Sequence, residues 1–296
     1  MMKRRRFLKI VAGCAGATLA RAGAARAESW QGVAFGSDVQ VTIAGARTKA
    51  VLARLPSFLD HFEDQFSLYR PESAINRLNA AGRLDRPHPD MLRLLCLADR
   101  VHRMTNGLFD PTVQPLWRAL AQGGDVLAAE QAIGWGRVTV HDDVVLLDRG
   151  QALTLNGIAQ GYAAERLRLW LQMEGFDEVL VDCGEYATSG GPWPVAIADP
   201  QGGILGKRTL QNGTLAVSSP GALMVGGRPH ILGPRGERPV WSTVAVEAGD
   251  AGLADGLSTA MVFLGRDALA AAMRDFDEIE AVTLVDHEGN LETIMG

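Results

Sequence analysis

The chain has 296 residues, 47% of them hydrophobic and 21% charged, with a formal net charge of −5. It is long enough to bury a real core as one large domain or two intimate ones, and no low-complexity linker or internal repeat divides it. Its acidic balance argues against nucleic acid as a partner.

Residues 1–27 combine a basic head, a short apolar run broken by small residues and a closing Ala25-Arg26-Ala27. This pattern predicts a secretory signal peptide, too short in its apolar run to span a bilayer. The pair Arg5-Arg6 before Phe7-Leu8-Lys9 is similar to a twin-arginine export signal, so a mature domain of 28–296, soluble in the periplasm with no transmembrane span, is expected. A competing reading makes Val11 to Cys14 a lipoprotein signal with Cys14 as the lipid-bearing residue. Cleavage after Ala27 would remove seven basic residues and no acidic ones, taking the net charge from −5 to −12. Of the cysteines, Cys96 and Cys183 would remain; both are expected to be buried thiols, and no Cys/His metal spacing is present.

Gly32 to Ile43 alternates as a strand, and helical spacing follows through about Phe66. A short helix is expected in "PESAINRLNAAG", with Asn79 and Gly82 near its stop, and a firmer one from about Pro89 to Thr105, ended by Asn106-Gly107. In "GLFDPTVQPLWRALAQGG", Pro111 and Pro115 frame a bend. Strands are then predicted at "RVTVH", "DVVLLD" and "ALTL", followed by an amphipathic helix in "NGIAQGYAAERLRLWLQMEG" ended by Gly175. Further strands are expected at "DEVLVDCG", "PVAIAD", "GKRTLQNG", "GTLAVSS", "WSTVAVEA", "AVTLVD" and "NLETIM", with helices over Gly252–Gly265 and Arg266–Asp275. Helices and mostly antiparallel strands without a regular βαβ rhythm make an α+β domain.

Five segments could carry chemistry. In "GLADGLSTAMVFLG", a helix apolar almost all round, Asp255 and Thr259 stand four residues apart and so share a face; their two oxygens suit a hard cation, or else Asp255 caps the helix and Thr259 bonds its own turn. Gly157 and Gly161 flank a strand-to-helix turn that could expose amides to phosphate, or could simply be small at a crowded turn. His230, alone in the loop "RPHILGPRGERP", is a candidate general base or a solvated side chain. Asp110 can cap the helix begun at Pro111, and Tyr69 can stack on a flat ring or sit at the rim of the core.

Taken together, "FSLYRPESAINRLN", "GLFDPTVQPLW", "NGIAQGYAAERL", "VDCGEYATSGG", "PHILGPRGERPV" and "STVAVEAGDAGLADGLSTAMVFLG" resemble, in order and rough spacing, the ApbE family of FAD:protein FMN transferases. The resemblance runs from about Gly32 to the C-terminus. It implies a T-fold-related α+β architecture of mixed, mostly antiparallel sheets with packed helices, and a Mg²⁺-dependent enzyme of the envelope. Such an enzyme cleaves FAD and attaches FMN, through a phosphoester, to a Thr or Ser of a target flavoprotein, releasing AMP. By the same resemblance Asp255, Thr259 and a carbonyl near Ala159 would hold the metal, and His230, as the base, and Asp255 would be the catalytic residues. Tyr69, Leu108, Phe109, Asp110, Asn156, Tyr162 and His230 would line the FAD site. Gln160 stands where the family usually has lysine, Gly233 where it usually has aspartate, and Phe35-Gly36-Ser37 where it has Met-Gly-Thr. Two alternatives stand beside the transferase: an FAD pyrophosphatase giving FMN and AMP, which would share every residue named, and, motivated by Gln160 and Gly233, a non-catalytic FAD-binding accessory protein of an envelope respiratory complex.

Overall fold

The structure, a computed structural model, describes residues 27–199 and 203–296. Apart from Ala27, the expected signal peptide, with Cys14, lies outside the described residues. Eight strands form one sheet whose order in space follows the order in the chain: Ala27–Ala34, Ser37–Ala44, Glu178–Asp182, Tyr186–Ser189, Thr214–Ser218, Thr243–Ala248, Ile279–Val285 and Leu291–Met295. Every neighbouring pair is antiparallel. The α+β expectation holds.

Between the second and third of these strands the chain makes a long excursion: α1 (Thr48–Leu52), α2 (Leu55–Phe66), α3 (Ala74–Ala81), α4 (Pro89–Met104), α5 (Gln114–Gln122), α6 (Val126–Ala132) and α7 (Ala159–Met173). A second one, between the sixth and seventh strands, holds α8 (Ala251–Met261) and α9 (Arg266–Asp275). Period-two alternation sorts the sheet's side chains. Val179, Val181 and Cys183 face Leu167 and Leu171 of α7, whereas Leu180, Tyr186, Leu215 and Ala245 pack under Val195, Ile197 and Leu210. Those last three belong to a separate hairpin, Trp193–Asp199 with Gly203–Leu210. Arg208 pins this hairpin down, bonding Glu247, Thr283 and Thr293 of the sheet.

Several local expectations are corrected. The single strand over 32–43 is a hairpin, because Phe35 and Gly36 both take positive φ (52° and 78°) and reverse the chain. The helical run to Phe66 is broken between Leu52 and Leu55, where Pro56 opens a new helix. "ALTL" is not a strand and lies in no sheet: the Asn79 side chain bonds its backbone instead, donating to Leu153 O (2.8 Å) and accepting from Leu153 N (2.7 Å). Helix α6, capped by Asp125, was not expected. Cys96 is exposed, because Met91, Leu94, Leu95, Ala98 and Val101 form the buried stripe of α4 and residue 96 falls off it. Cys183 is buried, and both thiols are free.

Candidate functional site at the junction of α7 and α8

α8 is buried on every side except at Thr259, which is half-buried and so marks where this central helix meets an opening. Asp250, not Asp255, caps the helix by accepting from Leu253 N (2.8 Å). The capping alternative for Asp255 therefore fails. Its carboxylate, 4% exposed, sits in mid-helix and accepts from Gly161 N (2.9 Å) at the start of α7. Thr259 Oγ1 donates to Gly157 O (3.2 Å) and lies 3.4 Å from Ser218 Oγ.

This junction needs two glycines. A Cβ on Gly161 would stand 2.2 Å from Ala251 O and 2.6 Å from Asp255 Cβ; one on Gly157 would stand 2.7 Å from Thr259 Oγ1. Small size at a crowded turn is therefore the structural role of both, and it lets the carboxylate and hydroxyl meet the turn before α7. The amides at this helix end are largely taken within the protein: Ala159 N by Leu155 O, Gly161 N by Asp255 and Tyr162 N by Ile158 O. The positive end of the helix thus supports Asp255 as an anion in place of cradling a phosphate directly.

Burial pushes the Asp255 carboxyl up to about 7, against the opposing pull of the Gly161 N–H. Its second oxygen receives no hydrogen bond among the described residues. A buried carboxylate with one unfilled oxygen, a hydroxyl and a main-chain carbonyl make an all-oxygen donor set of the kind Mg²⁺ takes, one or two carboxylates with room left for phosphate and water. The residues fit such an ion. The carbonyl that Thr259 touches is that of Gly157; Ala159 is buried at the first position of α7, two residues further on.

Around this centre stand three loops. Gln160, at the second position of α7, donates to Ser37 Oγ and Cys183 O, both at 3.1 Å, and so ties the Phe35–Gly36 turn to the turn at Gly184. Tyr69 is 68% exposed and lies beside Gly36, an open ring face at the rim. His230 donates from Nδ1 to Pro220 O (3.0 Å), two residues past Ser218, and this bond fixes Nε2 as the unprotonated nitrogen. Burial lowers the imidazole below its ordinary value, against its bonds to Pro220 and Leu223, so it is neutral at pH 7. Asn156 is exposed on the turn before α7.

Other expected site residues have packing or hydrogen-bond partners of their own. Leu108 and Phe109 are core residues. Asp110 is the cap that the duller reading expects: Oδ1 accepts from Thr112 N (2.8 Å) and Thr112 Oγ1 (2.5 Å), and Oδ2 from Trp135 N (3.1 Å). An open pocket of about 520 Å³ lies against this segment, lined by His102, Asp110, Trp135 and Arg235. Tyr162 packs edge-on against Phe62 and Phe66 and donates its hydroxyl to Asp90 (2.8 Å). The same Asp90 meets Arg93 Nη1 at 3.0 Å, His61 Nε2 at 3.0 Å and His88 Nδ1 at 3.4 Å, a His-His-Asp cluster invisible as sequence spacing. Burial works against its ionisation, but the bonds from His61, Tyr162 and Arg93 hold its carboxyl below the usual range. With an arginine already on the carboxylate and His88 Nδ1 accepting Asp90 N, the cluster is an ion-pair network at the start of α4.

Sequence reading missed Glu185. It is 7% exposed in the turn after Gly184 and accepts from Val217 N (2.8 Å). Burial, and next the charge of Asp255, push its carboxyl well above the ordinary value. An acidic residue inside the apolar run around "VDCGEYA" was the available signal.

A family model described as the ApbE family matches residues 35–283. The chain belongs to the ApbE family. Among curated ApbE relatives it is similar to the FAD:protein FMN transferase of Klebsiella pneumoniae (strain 342), 26% identical over 285 residues, covering 87% of this chain and 89% of that one. It is also similar to that of Escherichia coli (strain K12), 24% identical over 302 residues, covering 88% and 84%. Among solved ApbE structures it shares its fold with the flavin transferase ApbE of Vibrio cholerae, with a TM-score of 0.79 at 22% identity and 92% and 97% coverage. The apo flavinyl transferase ApbE of Pseudomonas stutzeri gives 0.78 at 24% identity, covering 93% and 96%.

Proposed function

We propose that this ApbE family chain is an FAD:protein FMN transferase: FMN passes from FAD to a Thr or Ser hydroxyl of a target flavoprotein through a phosphoester bond, and AMP leaves. The observation that carries this reading is the oxygen cluster of Asp255, Thr259 and Gly157 in a chain whose relatives bear that name; His230 bonds Pro220, two residues past the Ser218 that meets Thr259. Asp255 and Thr259 would hold Mg²⁺, with the Gly157 carbonyl or that of Ala159 beside them. When bound, the ion would supply charge neutralisation at the FAD pyrophosphate.

The chain's own groups do the rest. His230 Nε2 is free to take the proton of the acceptor hydroxyl, and the Nδ1–H bond to Pro220 O orients the ring and steadies the imidazolium that results. The hydroxyl oxygen then bonds the FMN-side phosphorus as the bond to the AMP oxygen breaks. Tyr69 offers its exposed ring as a platform for a flat heterocycle at the mouth of the site. Gln160 bonds two neighbouring loops, and the Glu237 carboxylate lies 2.7 Å from where a side chain on Gly233 would begin.

Export as a periplasmic protein, through residues 1–27, would place the acceptor in the envelope. No helix among the described residues is long and apolar enough to cross a membrane. The test is incubation with FAD, Mg²⁺ and a flavin-acceptor domain, reading AMP release and acceptor fluorescence that survives a denaturing gel. Labelling should vanish with chelator and in Asp255→Asn. Labelling that persists in Asp255→Asn overturns the metal assignment. AMP without labelled acceptor makes the chain a pyrophosphatase, and bound FAD with neither product makes it a binding protein.

A further inference from the structure

Two carboxylates border this site, and both are held in the same way. Asp255 Oδ2 accepts from one backbone amide, Gly161 N, and Glu185 Oε2 from another, Val217 N. The second oxygen of each takes no hydrogen bond among the described residues, and neither is paired there with an arginine or lysine. The sheet itself is opened to make room for Glu185. Strands Tyr186–Ser189 and Thr214–Ser218 pair only at Thr214 with Ala187 and Leu215 with Tyr186. Beyond that point, the Glu185 side chain meets the strand's Val217 amide in place of a ladder bond. The next residue, Ser218, is 3.4 Å from Thr259 Oγ1, so the place where Glu185 enters the strand adjoins the hydroxyl of the cation cluster. Gly184, just before it, packs against the Gln160 amide.

Two like charges within electrostatic reach of one another and without a basic partner are unfavourable unless a proton or a cation joins them; because every fully buried side-chain oxygen among the described residues has a partner, the free oxygen of each carboxylate opens to solvent, where an ion can reach it. Gln160 adds no positive charge to this wall, so the site is more acidic than Asp255 alone makes it. We propose that Glu185 is a second carboxylate of the cation site, and that with it the chain binds a divalent cation in the absence of flavin. This inference rests on the reading of Asp255 and Thr259 as metal ligands. One carboxylate, one hydroxyl and one carbonyl leave much of the Mg²⁺ shell to water and substrate phosphate; a second carboxylate supplies affinity before the phosphate arrives. Cation and FAD would then bind in that order.

The experiment is a Mn²⁺ titration of the flavin-free, metal-stripped protein, followed by electron paramagnetic resonance of the free ion, on wild type, Glu185→Gln and Asp255→Asn. Glu185→Gln keeps an acceptor for Val217 N, so its melting temperature in chelator should equal or exceed that of wild type. The expected result is one Mn²⁺ per wild-type chain, affinity at least tenfold weaker in Glu185→Gln, and no binding in Asp255→Asn. Equal affinity in wild type and Glu185→Gln overturns the proposal and leaves Glu185 a strand-end acceptor. Mn²⁺ that binds only with FAD present, and is lost in Asp255→Asn alone, overturns it while the metal reading of Asp255 stands. No Mn²⁺ binding with or without FAD overturns both.

Discussion

Gly161→Ala should be the most damaging single-methyl change at this site. The added Cβ would lie 2.2 Å from Ala251 O, a backbone atom of α8, and 2.6 Å from Asp255 Cβ. Neither neighbour is the loose end of a side chain, so α7 and α8 must separate by the better part of an ångström, and the Gly161 N–H bond to Asp255 (2.9 Å) stretches with them. Overpacking of a close interface costs about 1–3 kcal/mol, and a weakened hydrogen bond to a buried charge adds to it, giving about 2–4 kcal/mol. At roughly 2–4 °C per kcal/mol for a chain of this size, the melting temperature should fall by about 5–15 °C. Gly157→Ala meets only the Thr259 side chain, at 2.7 Å, so its loss of stability should be smaller while its loss of metal binding should be comparable. Gly136→Ala, where nothing lies within 4 Å, is the control and should stay within about 0.5 kcal/mol of wild type. Thermal unfolding of the three variants in chelator decides the matter. A Gly161→Ala protein that melts with the control would refute the close approach of the two helices.

Other outcomes follow from single contacts. Tyr162→Phe removes the hydroxyl from Asp90 but leaves His61 and Arg93, so stability should drop by about 1–2 kcal/mol with FAD affinity unchanged; a large loss of FAD affinity by fluorescence titration would place Tyr162 in the binding site. Asn79→Ala removes both bonds to Leu153 and should cost about 2–3 kcal/mol in denaturant unfolding. Burial, opposed by Gly184 N and reinforced by Asp38, pushes the Asp182 carboxyl from 3.8 up to about 6. The unfolded chain therefore sheds this proton first, and the stability tied to it is full below about pH 4 and lost as pH rises through about 6. Asp182→Asn should flatten that slope and gain about 1–3 kcal/mol at pH 8 relative to wild type; an unchanged difference between pH 4 and 8 would show that Asp182 ionises freely. His230→Ala should lower acceptor labelling by about 10²–10⁴-fold at pH 7 with Mn²⁺ binding intact, and equal loss of both would make His230 structural.

Much of this was legible in the chain because it is local. Period-two and helical spacing, the stop at Gly82, Asn106-Gly107 and the run from Glu178 to Asp182 depend on neighbours a few residues away, so helices and strands fall close to where pattern places them. The pairing of Asp255 with Thr259 is equally local, one turn of one helix. What could not be read is what each side chain meets across the fold. Asp110 and Tyr162 belong to family-like segments, yet their oxygens are committed to Thr112, Trp135 and Asp90. Asn79 bonds the backbone of a residue 74 positions away. Glu185 acquires its interest only because Asp255 and Val217 are brought beside it by the sheet and by α8. By itself the sequence determines backbone periodicity, turns and the family pattern, since those depend on short-range sterics and on the order of motifs. Only the tertiary structure decides which partner each polar atom meets and which carboxylate oxygens are left open to solvent and to an ion, because satisfaction of a buried group is set by non-local packing.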